Sequence, residues 1–215
     1  MLWSSANDVV ESLRAKTQLY LPALTKRRGF SSSRVEHLLN RLVRAMPQDE
    51  CYLEVGTLEG RTLDAAAVGN ESKKMYGVDR CDKYDTIPEP FPSNVRFVRT
   101  DIGTFLKDYP LVEPIGLCFY DADHSAEATQ AFFKQVTPHL AWEAVVVLDD
   151  WDRETVRKGA FAAEGFYVSN DGKGRTEKYR WQMLREMPEY GNGLDCPQSH
   201  FGYSFGVSIW AFRRE

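Results

Sequence analysis

The sequence predicts an α/β fold: a mostly parallel sheet with helices on both faces. Three observations predict it. Short apolar runs at 51–55, 75–78, 95–98, 115–120 and 144–148 alternate with helical patterns, the mark of a layered α/β architecture. Several of these runs are apolar almost throughout, as strands buried on both faces are. Most of them also end at or near an acid: Glu54, Asp79, Asp101, Asp121 and Asp149. In open α/β sheets ligands bind at the carboxyl ends of the strands, so these five acids are expected to converge on one crevice.

The elements follow in order. Residues 1–50 read as an N-terminal helical cap. Ser33 and Glu36 have capping-box spacing, and Val35, Leu38, Leu39, Leu42, Val43 and Met46 recur at helical intervals. A weaker helix is expected over 5–20, with the basic connection Lys26-Arg27-Arg28-Gly29 between the two. Residues 51–170 form the core, with helices expected over 63–68, 125–140 and 152–163. The late strands are 165–168 and 205–212. Between them lies 171–204, an insert of 34 residues with Tyr179 and Trp181 among five basic residues in its first part. A connection this long is usually functional or disordered, so it is expected to be a substrate-side insert that recognises the acceptor, or a lid or dimer contact that only covers the core. The last strand is assigned to 205–215, and the whole of 1–215 to a single domain.

Bulk composition narrows the function. The chain has 215 residues, 43% hydrophobic and 27% charged, with 27 basic against 31 acidic residues and a net charge of −4. A mildly acidic chain lacks the positive field that nucleic acid or an anionic membrane requires, so neither is expected as a partner. At 13% aromatic residues the chain is expected to fold rather than stay disordered. The N-terminus lacks a basic region followed by an apolar run, and no apolar stretch approaches 18 residues, so a signal peptide and a membrane span are not expected. Cys51, Cys81, Cys118 and Cys196 lack CxxC spacing, which fits neither a disulfide framework nor a zinc knuckle. A reduced, cytoplasmic protein is the expectation. A homodimer is the default expectation if the chain self-associates.

The chemistry concentrates at two places. Glu54-Val-Gly56-Thr57-Leu-Glu-Gly60 follows a strand and opens a helix, and Asp79 lies at the end of the next strand. Glycines there permit a tight turn and close approach to a ligand. A carboxylate at Asp79 is placed to accept hydrogen bonds from ribose hydroxyls. The G-x-x-x-G spacing departs from the G-x-G-x-x-G that serves a pyrophosphate, which disfavours a nicotinamide dinucleotide. The second place is Asp121, Asp123, His124, Asp149 and Asp150. Three close carboxylates repel one another unless protons or a cation neutralise them. Asp121, Asp149 and Asp150 therefore form a candidate Mg²⁺ or Mn²⁺ site. His124 is a candidate base, or a residue that only caps the following helix. Asp121-Ala-Asp123 also matches the Asp-x-Asp of metal-dependent glycosyltransferases, but that reading leaves the glycine loop and Asp79 unexplained.

With these residues in view, the chain resembles the class I S-adenosylmethionine-dependent methyltransferases over about residues 33–170. The resemblance rests on Glu54–Gly60, Tyr76-Gly-Val-Asp79, Arg99-Thr-Asp101-Ile102, Phe119–Ser125 and Val147–Trp151. It implies a Rossmann-like sheet of seven strands, the last one antiparallel. It implies S-adenosyl-L-methionine as cofactor, with Glu54, Gly56, Thr57 and Gly60 around its methionine part, Asp79 on the ribose, and Asp101 and Ile102 at the adenine. The second cluster is similar to that of the metal-dependent O-methyltransferases. That similarity implies a divalent metal on Asp121, Asp149 and Asp150, catalysis by Asp121 and His124, and a hydroxyl on a small-molecule acceptor. The alternative is a metal-independent enzyme of the same fold acting on nitrogen, a carboxylate or a larger partner. A third reading, a cofactor-binding fold kept as a regulator, is disfavoured by the intact glycine loop. One departure stands out: Trp142-Glu143 occupies the place where a glycine-rich turn usually leads into the fifth strand.

Overall fold

The computed structural model describes residues 6–9, 11–12, 22–80, 90–109, 111–170, 176–187 and 206–214. Eight strands form one sheet in the order β3-β2-β1-β4-β5-β8-β7-β6. The strands are β1 (Cys51–Val55), β2 (Lys74–Asp79), β3 (Val95–Arg99), β4 (Ile115–Tyr120), β5 (Leu140–Leu148), β6 (Gly165–Asn170), β7 (Thr176–Met187) and β8 (Val207–Arg214). The first five pair in parallel. β8 runs antiparallel between β5 and β7, and β7 runs antiparallel to β6.

The parallel, two-face-covered sheet and the antiparallel last strand are as the sequence predicts. The strand count is eight, where seven were expected. The additional strand is β7, inside the segment read as an insert. Its side chains alternate: Trp181 is 2% exposed, Tyr179 and Met183 are partly buried, and Arg180 and Gln182 point to solvent. That is a period of two, the signature of a half-buried strand. Of the expected insert, residues 171–175 and 188–204 lie outside the described residues, together with Tyr190, His200 and Tyr203.

Four helices bring the strands back to one end: α1 (Ser33–Ala45) ahead of β1, α2 (Arg61–Ala67) after it, α3 (Ile102–Asp108) after β3 and α4 (Ala126–Val136) after β4. A fifth, α5 (Glu154–Phe161), follows β5. The α1 stripe Val35, Leu38, Leu39, Leu42 and Val43 is fully buried, in one core cluster with Tyr52, Leu63, Leu117 and Val145. The opposite face holds Phe105, Phe132, Phe133, Trp151, Trp181 and Trp210. Phe133 meets Trp181 edge-on at 4.7 Å and Trp210 at 5.6 Å, the geometry ring quadrupoles favour. The Trp210 indole N–H donates to Ser208 Oγ at 3.0 Å, so this buried donor is satisfied.

Two boundaries differ from expectation. Ser32, one residue before the predicted cap, closes α1 by accepting from the Val35 amide at 3.3 Å. Glu36 is thereby one position too deep to complete a capping box, and its buried carboxylate turns to Arg61 and the Leu24 amide instead. The helix expected to reach 140 ends at Val136. A single 3-10 turn, Thr137–His139, carries Pro138 and leads directly into β5. Trp142 and Glu143 thus lie within a strand rather than a turn, and Trp142 is left 62% exposed near the strand's start. Cys51 and Cys118 are free, buried thiols. No helix among the described residues is long and apolar enough to cross a membrane.

Candidate functional site

The sheet order reverses between β1 and β4, and the loops leaving the two strands diverge there. A cleft of about 700 Å³ opens at that point, where α/β sheets bind ligands. Its wall includes Gly56, Thr57, Asp79, Asp101 and Ile102 on one side and Asp121, His124, Asp149 and Asp150 on the other. The two constellations separated in sequence therefore meet in one space.

The glycine loop is built from backbone. Gly56 sits at φ 95°, its amide donating to Val78 O at 2.8 Å. A Cβ on Gly56 would stand 1.7 Å from the Asp121 carbonyl oxygen. Only a residue without a side chain lets β1 and β4 turn out this close together. The Gly60 amide closes the turn on Thr57 O at 2.7 Å. Gly60 itself is at φ 85°, and a Cβ there would meet the Phe91 ring at 2.3 Å. Its need for glycine comes first from that positive φ and then from Phe91, and Gly60 is not among the cleft-wall residues.

The strand-end acids divide by role. Asp79 accepts from the Leu58 amide at 2.5 Å, so it fixes the loop from below while facing the cleft. Asp101 caps α3, accepting from the Thr104 amide at 2.9 Å and its hydroxyl at 2.7 Å. Those hydrogen bonds hold its carboxyl below the usual carboxylate range. Glu54 does not reach the cleft wall. It is fully buried on the other face of β1, where Tyr52 Oη donates to it at 2.8 Å and Thr62 Oγ1 at 2.9 Å. Glu54, expected at the methionine part of a ligand, ties β1 to α2 beneath the loop.

Burial raises the Glu54 pKa from 4.5 to about 7, and the hydrogen bonds from Tyr52 and Thr62 oppose that rise without cancelling it. A carboxyl whose folded pKa is raised favours the fold below its unfolded pKa and loses that contribution as pH rises through the folded value. Glu54→Gln is therefore expected to gain stability relative to the unaltered chain between pH 4.5 and 7, by up to about 3 kcal/mol. Urea unfolding at several pH values measures it, and a constant difference across that range would contradict the assignment.

The second constellation is strongly acidic. Burial, then the carboxylates of Asp149 and Asp150, push Asp121 well above the usual range. Asp149 rises to about 7, chiefly through burial and Asp150. Asp150 sits at φ 51°, a left-handed conformation that Asp adopts more readily than most residues. Its Oδ2 is 3.0 Å from His124 Nε2 and 3.1 Å from Arg153 Nε. Burial lowers the His124 pKa more than Asp150 raises it, so its imidazole is neutral at neutral pH. Asp123 accepts from the Ser125 amide at 2.9 Å and holds the start of α4.

One ligand atom from each of Asp121, His124 and Asp150 lies within 4.8 Å of the other two. The compact set differs from the expected one: His124 takes the place of Asp149. Two ligands at right angles on an ion with bonds of about 2.1 Å stand roughly 3 Å apart. The 3.0 Å between His124 and Asp150 matches that spacing. A nitrogen and two carboxylate oxygens suit Mn²⁺ or a similar ion better than Ca²⁺. The donor set therefore fits a divalent cation.

Sequence reasoning expected residues 1–50 to cap the site but did not name the residues of the cleft's roof. Gly29, Phe30 and Ser31 line it, as do Arg61 and Arg153. This strap ahead of α1 is anchored by Thr25 Oγ1 donating to Asp64 at 2.5 Å and by Arg27 pairing with the same carboxylate at 3.3 Å. Arg27 also stacks over Phe91 at 4.2 Å. The basic connection at 26–29 carried the only sequence signal of it.

Residues 53–151 match the family model of a methyltransferase domain. The comparison with curated proteins gave no match. Solved structures share the fold. An O-methyltransferase from Bacillus cereus, solved in complex with SAH, is 19% identical with a TM-score of 0.53, and the match covers 98% of this chain and 90% of that one. The O-methyltransferase TomG from Streptomyces achromogenes, involved in tomaymycin synthesis and solved with SAM, is 16% identical with a TM-score of 0.53, covering 95% and 89%. The cofactor-bound Rv0187 from MTB is 18% identical with a TM-score of 0.51, covering 94% and 88%.

Proposed function

We propose, from the match of residues 53–151 to a methyltransferase-domain model, an enzyme that moves a methyl group from S-adenosylmethionine to a hydroxyl of a small-molecule acceptor with help from a divalent cation. One observation carries the reading. A single cleft joins the Gly56 loop and Asp79 to the cluster of Asp121, His124 and Asp150. Donor groups and proton-handling groups then share one space, as an in-line transfer requires.

The methyl donor supplies an electrophilic carbon on a sulfonium, and a divalent cation lowers the pKa of an acceptor hydroxyl. The chain does the rest. Gly56 and Thr57 give the loop its shape, Asp79 takes the ribose hydroxyls, and Asp101 with Ile102 borders the base. Asp121, His124 and Asp150 hold the cation, with Asp149 behind them. A His124 left free of the ion is neutral and able to take the acceptor proton. Arg153 steadies Asp150 from outside.

The same Arg153 contact favours a second reading. A guanidinium 3.1 Å from Asp150 Oδ2 neutralises that carboxylate without an ion, as an enzyme of the same fold working without a metal would need. Chelation separates the two. With a panel of hydroxylated acceptors and labelled donor, turnover is expected to fall at least tenfold in excess EDTA and to return with Mn²⁺ or Mg²⁺. S-adenosylhomocysteine binding is expected to persist in EDTA. Full turnover in the chelator would select the metal-free reading.

A further inference from the structure

We infer that Arg61 is a carboxylate receptor in the cleft and that it holds the amino-acid carboxylate of the methyl donor. The inference rests on the donor reading above and adds the group that binds the donor's one anionic end.

Four observations carry it. The Arg61 side chain is only 12% exposed, yet the residue lines the cleft. Its Nε donates to Glu36 Oε1 at 2.6 Å, and the Glu36 side chain is fully buried. The other Glu36 oxygen accepts from the Leu24 amide at 2.7 Å, so the carboxylate cannot swing away. Among the described residues, no hydrogen bond occupies the two terminal nitrogens of Arg61. One edge of the guanidinium is thus fixed and the outer edge is left for a partner. Gly29 presses on the same side chain, since a Cβ there would stand 2.6 Å from Arg61 Cβ. A guanidinium held in this way presents a preorganised fork, which suits a carboxylate.

The charges elsewhere on the wall say which part of the ligand meets it. Six aspartates face the cleft: Asp79, Asp101, Asp121, Asp123, Asp149 and Asp150. They suit ribose hydroxyls, a cation or a sulfonium, and those left ionised repel a carboxylate. Arg153 is engaged with Asp150 at the acidic end. Arg80 is exposed. Arg61 is the sequestered cation, directly after the glycine loop and under the strap. The Thr62 hydroxyl beside it is already given to Glu54 at 2.9 Å, which leaves the guanidinium as the charged donor at this end.

Calorimetry with two ligands tests the inference. S-adenosylhomocysteine carries the carboxylate, and 5′-methylthioadenosine lacks the whole amino-acid part. Arg61→Met is expected to weaken S-adenosylhomocysteine by roughly 10- to 100-fold, the range for a charge-assisted hydrogen bond, and to leave methylthioadenosine within about twofold. Arg61→Lys is expected to fall between, because an ammonium cannot serve Glu36 and a carboxylate together as a fork does. If Arg61→Met does not fold, the ratio of the two affinities in Arg61→Lys decides: a reduced ratio supports the inference and an unchanged ratio overturns it. Undiminished S-adenosylhomocysteine binding in Arg61→Met, or equal losses for both ligands, also overturns it while the donor reading stands. If the unaltered protein binds neither ligand, the donor reading falls and takes this inference with it.

Discussion

Gly56→Ala is expected to destabilise the protein by about 2–5 kcal/mol and to close the cleft to the donor. Two costs add. At φ 95° an L side chain is strained, which costs about 1–2 kcal/mol. The new methyl would also stand 1.7 Å from the Asp121 carbonyl oxygen, and forcing backbone apart adds roughly 1–3 kcal/mol. That obstacle is the backbone of β4's exit, so no side chain can swing aside. Relief requires the β1 and β4 exits to separate, which moves Asp121 and the loop together. Gly69→Ala is the control. Its φ is also positive, at 67°, but a Cβ there meets only the flexible end of Arg44 at 3.2 Å. Its cost should stay near 1–2 kcal/mol. Urea midpoints for the two variants measure the difference, with a melting-point fall of about 10 °C for Gly56→Ala. Equal midpoints would remove the close contact from the account of the site.

What the sequence makes legible follows the period of its side chains. β1, β2, β4 and the acids at their ends read directly, because buried parallel strands are apolar runs and each run stops where the chain meets water. Glu54 shows the limit of that logic. Its place before Gly56 suggested ligand contact, yet strand parity governs. Val55 borders the cleft while Tyr52 and Glu54 point to the opposite face. Period two also marks β7, but its basic and aromatic composition drew attention away from the alternation of Tyr179, Trp181 and Met183. The capping of α1 misses by one residue, because Ser31, Ser32 and Ser33 are equivalent until the helix register chooses among them. Arg61 and Arg153 were beyond a reading of one sequence. Their roles come from Glu36, 25 positions away, and from a backbone turn at Asp150 that no motif announces.

That turn gives the other large effect. Asp150→Asn is expected to fold normally, because Asn accepts a left-handed conformation as Asp does. It keeps the shape and removes one charge. His124 and Arg153 both lose the anion they share, and the proposed cation loses a ligand. Mn²⁺ binding, followed by electron paramagnetic resonance of the free ion, is expected to disappear. Turnover is expected to fall about 100-fold or more, the scale set by losing a group that handles or orients a proton. The melting point should change little, since a carboxylate that burial already pushes toward its protonated form gives little to the fold. The pH profile gives a further reading. Asp150 raises the His124 pKa against the lowering by burial. Without it the imidazole titrates lower still, so where His124 takes the proton the acidic limb of residual activity moves to lower pH. In the metal-free reading Asp150 still positions His124, so turnover falls and the limb shifts, but EDTA has no effect on either protein. A variant that keeps both Mn²⁺ and turnover would place the chemistry elsewhere in the cleft.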